Sequence, residues 1–390
     1  MSKINKVYLL SFLFTLHISL SAYVNSTFLT KIISEKYVGI LFTIAAIITL
    51  YLLSTSARLL KEFGNRTMVL WLLLLNMMAL VGMINSLNPI VIAISFIVLS
   101  TTNSLVLFSL DIFIEHFSNP KTIGKTHGLY LTITNLAWML SPLITATLIT
   151  REGGFITIYK VALTIAVLMS LGLVSSVKRF TDKKYEKTPF LETYGFLRKN
   201  KHILAITMIN FLLQFFFAMM VVYTPIYLTK HIGLSWDDIG VIFTIMLAPF
   251  VIFGLPVGLV IDRYHIKKST LIAIGFIIMI ISTLSMSFIN TASLTLWAIV
   301  LFLTRTGAAI VETASEIYFF AHAKEEEAYL LSVFRDMTPV ALVIAPTIAT
   351  LVFVFFPFNY LFAILAVIML SSFYYIPHLR HNHVGLNTNK

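Results

Sequence analysis

Twelve long apolar runs, separated by short charged or turn-rich stretches, leave this chain few ways to fold. They occupy residues 7–29, 38–59, 68–86, 90–117, 128–150, 156–177, 203–229, 238–261, 270–289, 293–320, 328–353 and 358–376. A helix needs about 20 apolar residues to cross about 30 Å of hydrocarbon, and each run is close to that length. Strands of a membrane barrel would be about half as long and would alternate in polarity, which these runs do not. Inside lipid, only helices and closed barrels satisfy their own backbone groups. The expected fold is therefore an all-α polytopic membrane protein with twelve transmembrane helices. Composition agrees, with 58% hydrophobic and 12% charged residues, where soluble domains carry about a quarter charged.

The first run is not expected to be a cleaved signal peptide: it is too long, no small-residue cleavage site follows it, and further spans come after it. The chain has no cysteine, which excludes disulfides and Cys-ligated metal sites. Its net charge of +11 would suggest nucleic acid in a soluble protein, but the placement of that charge argues otherwise. Segments on the side of the N-terminus hold 21 Lys and Arg, whereas those on the opposite side hold five: Lys31, Lys36, Arg151, Lys160 and Lys230. By the positive-inside rule both termini are cytoplasmic and the protein sits in the cell membrane. The expected surroundings are the bilayer, with no nucleic acid.

The longest charged stretch, residues 178–201, divides the runs six and six. This gives an N-terminal half (1–177), a cytoplasmic linker (178–202), a C-terminal half (203–376) and a cytoplasmic tail (377–390). Landmarks recur between the halves. GILFTI at 39–44 meets GVIFTI at 240–245, and Asp111 and Glu115 meet Glu312 and Glu316, both at an offset of 201. LTK recurs at an offset of 199, and SPLITATL at 141–148 meets APTIATL at 345–351. An even number of spans per repeat makes the two repeats parallel.

On these features the chain resembles the major facilitator superfamily, which has two six-helix halves, a basic central loop and a charged motif between the second and third spans of each half. The second half has GLVIDRYHIKK, in which Gly258, Asp262, Arg263, Lys267 and Lys268 fit that motif and His265 replaces its inner Gly. The first half has ARLLKEFGNR, in which Gly64 and Arg66 fit. The family's antiporter markers are mostly missing. The fifth span reads WMLSPLITATL without glycine, and TTNS at 101–104 stands where an Arg is usual.

Asp111, Glu115, Glu312 and Glu316 fall at helix C-termini, where the macrodipole already carries partial negative charge, so they call for cations or protons. Arg66, Arg263, Lys267 and Lys268 lie at the same face. Arg335, beside Asp336, should reach the depth of Glu312 and pair with it. The resemblance implies that such acids and loop cations latch the halves together at the cytoplasmic side; a proton relay is the competing role. Repetition in both halves favours the latch. Binding is expected nearer the midplane, where His17, Asn103, Asn135, Trp138, Gln214 and Arg305 fall. A buried Arg305 would either hold an anionic or hydroxyl-rich solute or pair with Glu312. His17 would carry a proton or join helices, and the amides would bind solute or serve as interhelical glue. Pro142, Pro249, Pro339 and Pro346 permit helix kinks.

The function expected is secondary active transport of a small solute by alternating access, coupled to protons, by a monomer needing no cofactor or metal. The alternatives are export of amphipathic compounds and a non-transporting scaffold or receptor. No nucleotide-binding GxxxxGK[ST] motif and no HExxH motif occurs, so neither ATP hydrolysis nor enzymatic chemistry is expected.

Overall fold

The computed structural model describes residues 3–117, 123–151, 154–176, 200–264, 266–322 and 328–379. Most of the expected linker and tail, and the side chains of Glu115, Asp262 and Arg263, lie outside that description. The first half consists of α1 (Lys3–Leu29), α2 (Glu35–Ser54), α3 (Ser56–Phe63), α4 (Asn65–Asn85), α5 (Pro89–Phe117), α6 (Ile123–Arg151) and α7 (Phe155–Ser176). The second consists of α8 (Lys201–Ile226), α9 (Trp236–Tyr264), α10 (Lys268–Met286), α11 (Leu294–His322), α12 (Ala328–Phe355) and α13 (Tyr360–Leu370). Twelve segments are long and apolar enough to span a membrane; the twelfth, Tyr360–His378, continues α13 through two short turns, and α3 is too short to span.

Local chemistry sets the breaks. The second apolar run stops at Ser54 rather than continuing to residue 59, because Arg58, Lys61 and Glu62 need water. They form the exposed face of α3, with Arg58 Nε 3.0 Å from Glu62 Oε1. The chain then turns at Gly64, whose φ of 72° suits a residue without Cβ, so this motif glycine has a backbone reason. The seventh span runs from α8 into a π-turn, Tyr227–Ile232, closed by Gly233 in the left-handed conformation. Ser235 then caps α9, its hydroxyl accepting from the Asp238 amide at 3.2 Å. Within α6, Pro142 cannot donate to the Trp138 carbonyl, and the Ser141 hydroxyl does so instead at 3.0 Å.

The halves are two parallel copies of one packing scheme. α1 packs on α5, α6 and α7 as α8 packs on α11, α12 and α13 (the last through few contacts); α4 packs on α5 and α7 as α10 packs on α11 and α13. Between the halves, α2 lies along α12, α6 along α9, and α1 against α8. Among the described residues α5 and α11 make no comparable contact.

The inter-half seams are tightest near the face opposite the termini, here called the distal face. Gly39 of α2 lies against the Tyr223 hydroxyl and the Pro346 carbonyl, and Gly240 of α9 against Ala146 and the Pro142 carbonyl. Both glycines belong to the repeated hexapeptide, and a side chain at either has no room. Further out, Thr150 donates to Asp237 at 3.0 Å and Phe155 meets Trp236 edge-on at 5.5 Å. Near the terminal face an ion pair, Arg335 to Asp111 at 3.9 Å, crosses between the halves.

Overpacking a close helix contact costs about 1–3 kcal/mol, so Gly240→Val should open the distal seam. Ser19, buried beside Gly240 in a small crevice, is the reporter, since the native chain has no cysteine. In a Ser19→Cys background, Gly240→Val is expected to raise labelling by an impermeant maleimide by about 5-fold or more.

Candidate solute site

Arg305 sits eleven residues into α11 from the distal face, about 16 Å deep at 1.5 Å per residue and only 1% exposed. Its guanidinium lies 5.2 Å from the ring centres of both Phe216 and Phe217 on α8, within cation–π range. The Tyr23 side chain on α1 interacts with it electrostatically from the other half. Nε and Nη1 of Arg305 are buried and have no hydrogen-bond partner among the described residues. Such donors cost free energy unless something fills them, and a buried fork with open positions fits planar oxyanions.

Glu312, two helical turns below Arg305, is partly accessible and interacts electrostatically with both Arg305 and Glu316. Gln214 of α8 is half-buried and 3.4 Å from Asn210 Oδ1, and Trp138 lies edge-on to Tyr23 at 6.1 Å. Tyr23 also meets Phe243 of α9 at 4.9 Å. Arg305, Tyr23 and Trp138 thus lie in one region, with Glu312 two turns along α11. Asn135, one turn before Trp138, is half-buried.

His17 and Asn103 lie elsewhere, in the interior of the first half. His17 is 1% exposed, with Nδ1 2.9 Å from the Ala162 carbonyl and Nε2 3.3 Å from Asn103 Oδ1. Asn76 of α4 donates to Asn103 at 2.8 Å and to Thr102 at 3.0 Å. This network ties α1, α4, α5 and α7 together. These contacts link α1 to α5 and α7, and a neutral imidazole donates to only one of the two facing oxygens.

The acids do not pair as their spacing suggested. Arg335 approaches Asp111 of the other half at 3.9 Å, and Asp111 accepts from the Tyr130 hydroxyl at 2.9 Å. Among the described residues Glu312 makes no ion pair with Arg335; it interacts electrostatically with Arg305 along α11. Glu316, one turn on, feels Arg335 electrostatically. The Arg335–Asp111 side chains are 54% and 38% exposed, so the pair is worth at most about 1 kcal/mol. Asp336 is half-buried, Arg66 is half-buried with an unpartnered Nε, Lys268 is half-buried and Lys267 exposed. Gly258 lies in α9, six residues before its end. Sequence reasoning passed over Tyr23, Asn76, Phe216 and Phe217. An aromatic in an apolar run carries no periodic signal, and only the approach of two distant helices reveals its partner.

The first-half network generates a stability prediction. Asn76→Ala and Asn103→Ala should each lower unfolding free energy in mixed micelles by about 0.6–2 kcal/mol. The double variant should lose less than the sum, because one hydrogen bond is shared.

The comparisons agree with this architecture. A family model described as Major Facilitator Superfamily matches residues 7–237 and again residues 225–389. The crystal structure of the nucleoside transporter NupG superposes with a TM-score of 0.75 at 12% identity, covering 98% of this chain and 100% of that one. The crystal structure of the human organic anion transporter MFSD10 (TETRAN) superposes with a TM-score of 0.68 at 13% identity, covering 96% and 98%. A search of curated proteins returned no match. At such identities the structural likeness speaks for the fold, and the family model spans nearly the whole length: the chain belongs to the Major Facilitator Superfamily and is a multi-pass membrane transporter.

Proposed function

We propose that this transporter carries a small solute with an acidic group by alternating access about Arg305, in symport with a proton held on Glu312. The observation that carries this reading is the buried guanidinium between the halves with two unfilled donors. A charge there costs at least about 2.5 kcal/mol to insert. A fixed strut would be expected to fill its donors, whereas a binding site leaves them for the ligand. The halves correspond to residues 1–177 and 203–376, joined by the linker 178–202, with both termini cytoplasmic on the asymmetry of Lys and Arg. The distal face is then external, and the arrangement described is closed outward.

Proton coupling rests on the proximity of Glu312. An ionised Glu312 competes with any anion for the field of Arg305. A proton on Glu312 removes that competition, so proton and anion each strengthen the other's binding, as linkage requires. Glu312 is partly exposed, as a group that exchanges its proton must be. The acids then divide: Glu312 serves coupling, while Asp111 and Arg335, with Glu115, Glu316, Asp336 and the motif residues Gly64, Arg66, Gly258, Asp262, Arg263, Lys267 and Lys268, belong to a cytoplasmic gate. A pair as exposed as Arg335–Asp111 suits a contact that must break in every cycle.

The test is flux in proteoliposomes loaded with a pH-sensitive dye and presented with small organic acids. Wild-type protein should couple solute entry to proton entry. Glu312→Gln should retain solute exchange across equal concentrations but lose accumulation against a gradient. Arg305→Gln should lower kcat/KM by about 10²-fold, the loss of a charge-assisted bond of about 3 kcal/mol. Intact transport by Arg305→Gln would overturn the site, and solute movement with no proton movement would overturn the coupling.

A further inference from the structure

A cleft of about 510 Å³ lies at the distal face between α2 of the first half and the end of the seventh span in the second. Glu35 and Lys36 line it from one side, and Tyr227, His231 and Phe358 from the other. Across it, Nε2 of His231 lies 3.3 Å from Oε1 of Glu35. This contact joins the halves just outside the tightest packing, because Glu35 stands one helical turn before the Gly39 that lies against the Tyr223 hydroxyl.

The imidazole is held in place by its neighbours. Its ring centre is 4.6 Å from that of Phe358, and it stacks on Tyr227 at 5.7 Å with the planes 23° apart. Protonation strengthens both kinds of contact. It turns a neutral hydrogen bond to Glu35 into a charge-assisted one, and it sets a cation against two aromatic faces. Glu35 occupies the first turn of α2, where the macrodipole favours negative charge. The two side chains are 34% and 26% exposed, so the imidazole exchanges protons with water on the distal side. The other titratable and charged groups around it are the exposed Lys36 on α2, and Tyr227 and Lys230 in its own turn. The 353–359 stretch faces it with Phe353, Phe358 and Asn359, none of which ionises. Among the described residues, Glu35 is the one acid on the cleft wall.

We infer that Glu35 and His231 form a proton-dependent latch on the distal face, closed while the imidazole is charged and released when it is neutral. The latch needs an ionised carboxylate and a protonated imidazole together. Carboxylic acids ionise near about pH 4 and imidazoles lose their charge between about pH 5 and 8. It therefore holds in mildly acidic medium and loosens as the pH rises through the histidine range. The inference needs no assignment of the solute or of Arg305. In a carrier driven by protons the latch is a brake, since the acidity that drives protons inward also holds shut the face by which they enter.

The Ser19→Cys reporter reads the opening of this face, and comparing variants at one pH cancels the ionisation of the thiol itself. A pair this exposed corresponds to about two- to fivefold in the opening equilibrium. At about pH 5.5, where the imidazole is charged, His231→Gln should label with impermeant maleimide about two- to fivefold faster than its His231 parent. At about pH 8.5 the two should label alike. His231→Arg, charged at every pH, should match the parent in acid and label about two- to fivefold more slowly in alkali. Glu35→Gln approaches the pair from the other half and should behave as His231→Gln does. A ratio of His231→Gln to parent that is the same at both pH values would make the contact a plain structural tie and overturn the latch. A Glu35→Gln protein that keeps the parent's full pH response would overturn it as well.

Discussion

A guanidinium in the middle of an apolar bundle is the constraint around which the rest of this structure is arranged. Arg305 cannot lose its charge at any ordinary pH, and lipid offers it nothing. It is tolerated because two phenylalanine faces, one phenol and one carboxylate surround it, and these come from three helices in both halves. The cation therefore needs the two halves to meet. That need makes the interface a natural place for a ligand to intervene, since whatever feeds the remaining donors changes what holds the halves together.

The interface is uneven. Toward the distal face, small residues let helix backbones touch at Gly39 and Gly240, and aromatic and hydrogen-bonded pairs close the seams outside them. Toward the terminal face, α5 and α11 separate and one exposed ion pair spans the gap. Van der Waals packing of small residues is the main source of helix association in lipid, so the distal side is held by many weak contacts and the terminal side by few. Rocking transfers such contacts from one side to the other. The helix-interior prolines at 142, 225, 249, 256, 339 and 346 lie on α6, α8, α9 and α12, helices that form or adjoin the seams.

Most of the fold is legible in the sequence because hydrocarbon thickness and backbone satisfaction act on every span alike. The twelve runs, their division in two and the repeated hexapeptide carrying Gly39 and Gly240 can all be read without coordinates. The candidate site is only half legible. Arg305 stands out because a lone charge in an apolar run has no other explanation, and the acids stand out because they recur. Their partners do not. Counting residues from the end of α11 put Arg335 level with Glu312, yet the ion pair Arg335 makes is with Asp111 of the other half. His17 carried a promising chemistry and turned out to be committed to Ala162 and Asn103. Depth follows from sequence spacing, but direction around a helix axis depends on packing between segments far apart in the chain.

The central claim is that the halves exchange closure of one face for closure of the other about Arg305. Spin labels at Lys36 and Asn290 straddle the distal opening, and labels at Phe63 and Lys267 straddle the terminal one; all four positions are exposed. Pulsed distance measurements on both pairs in lipid, in acidic and alkaline buffer and with and without a transported acid, test that claim directly. The account predicts opposite changes, the distal distance lengthening under the conditions in which the terminal distance shortens. Distances that lengthen together, or a terminal pair that stays fixed while the distal pair moves, would contradict it.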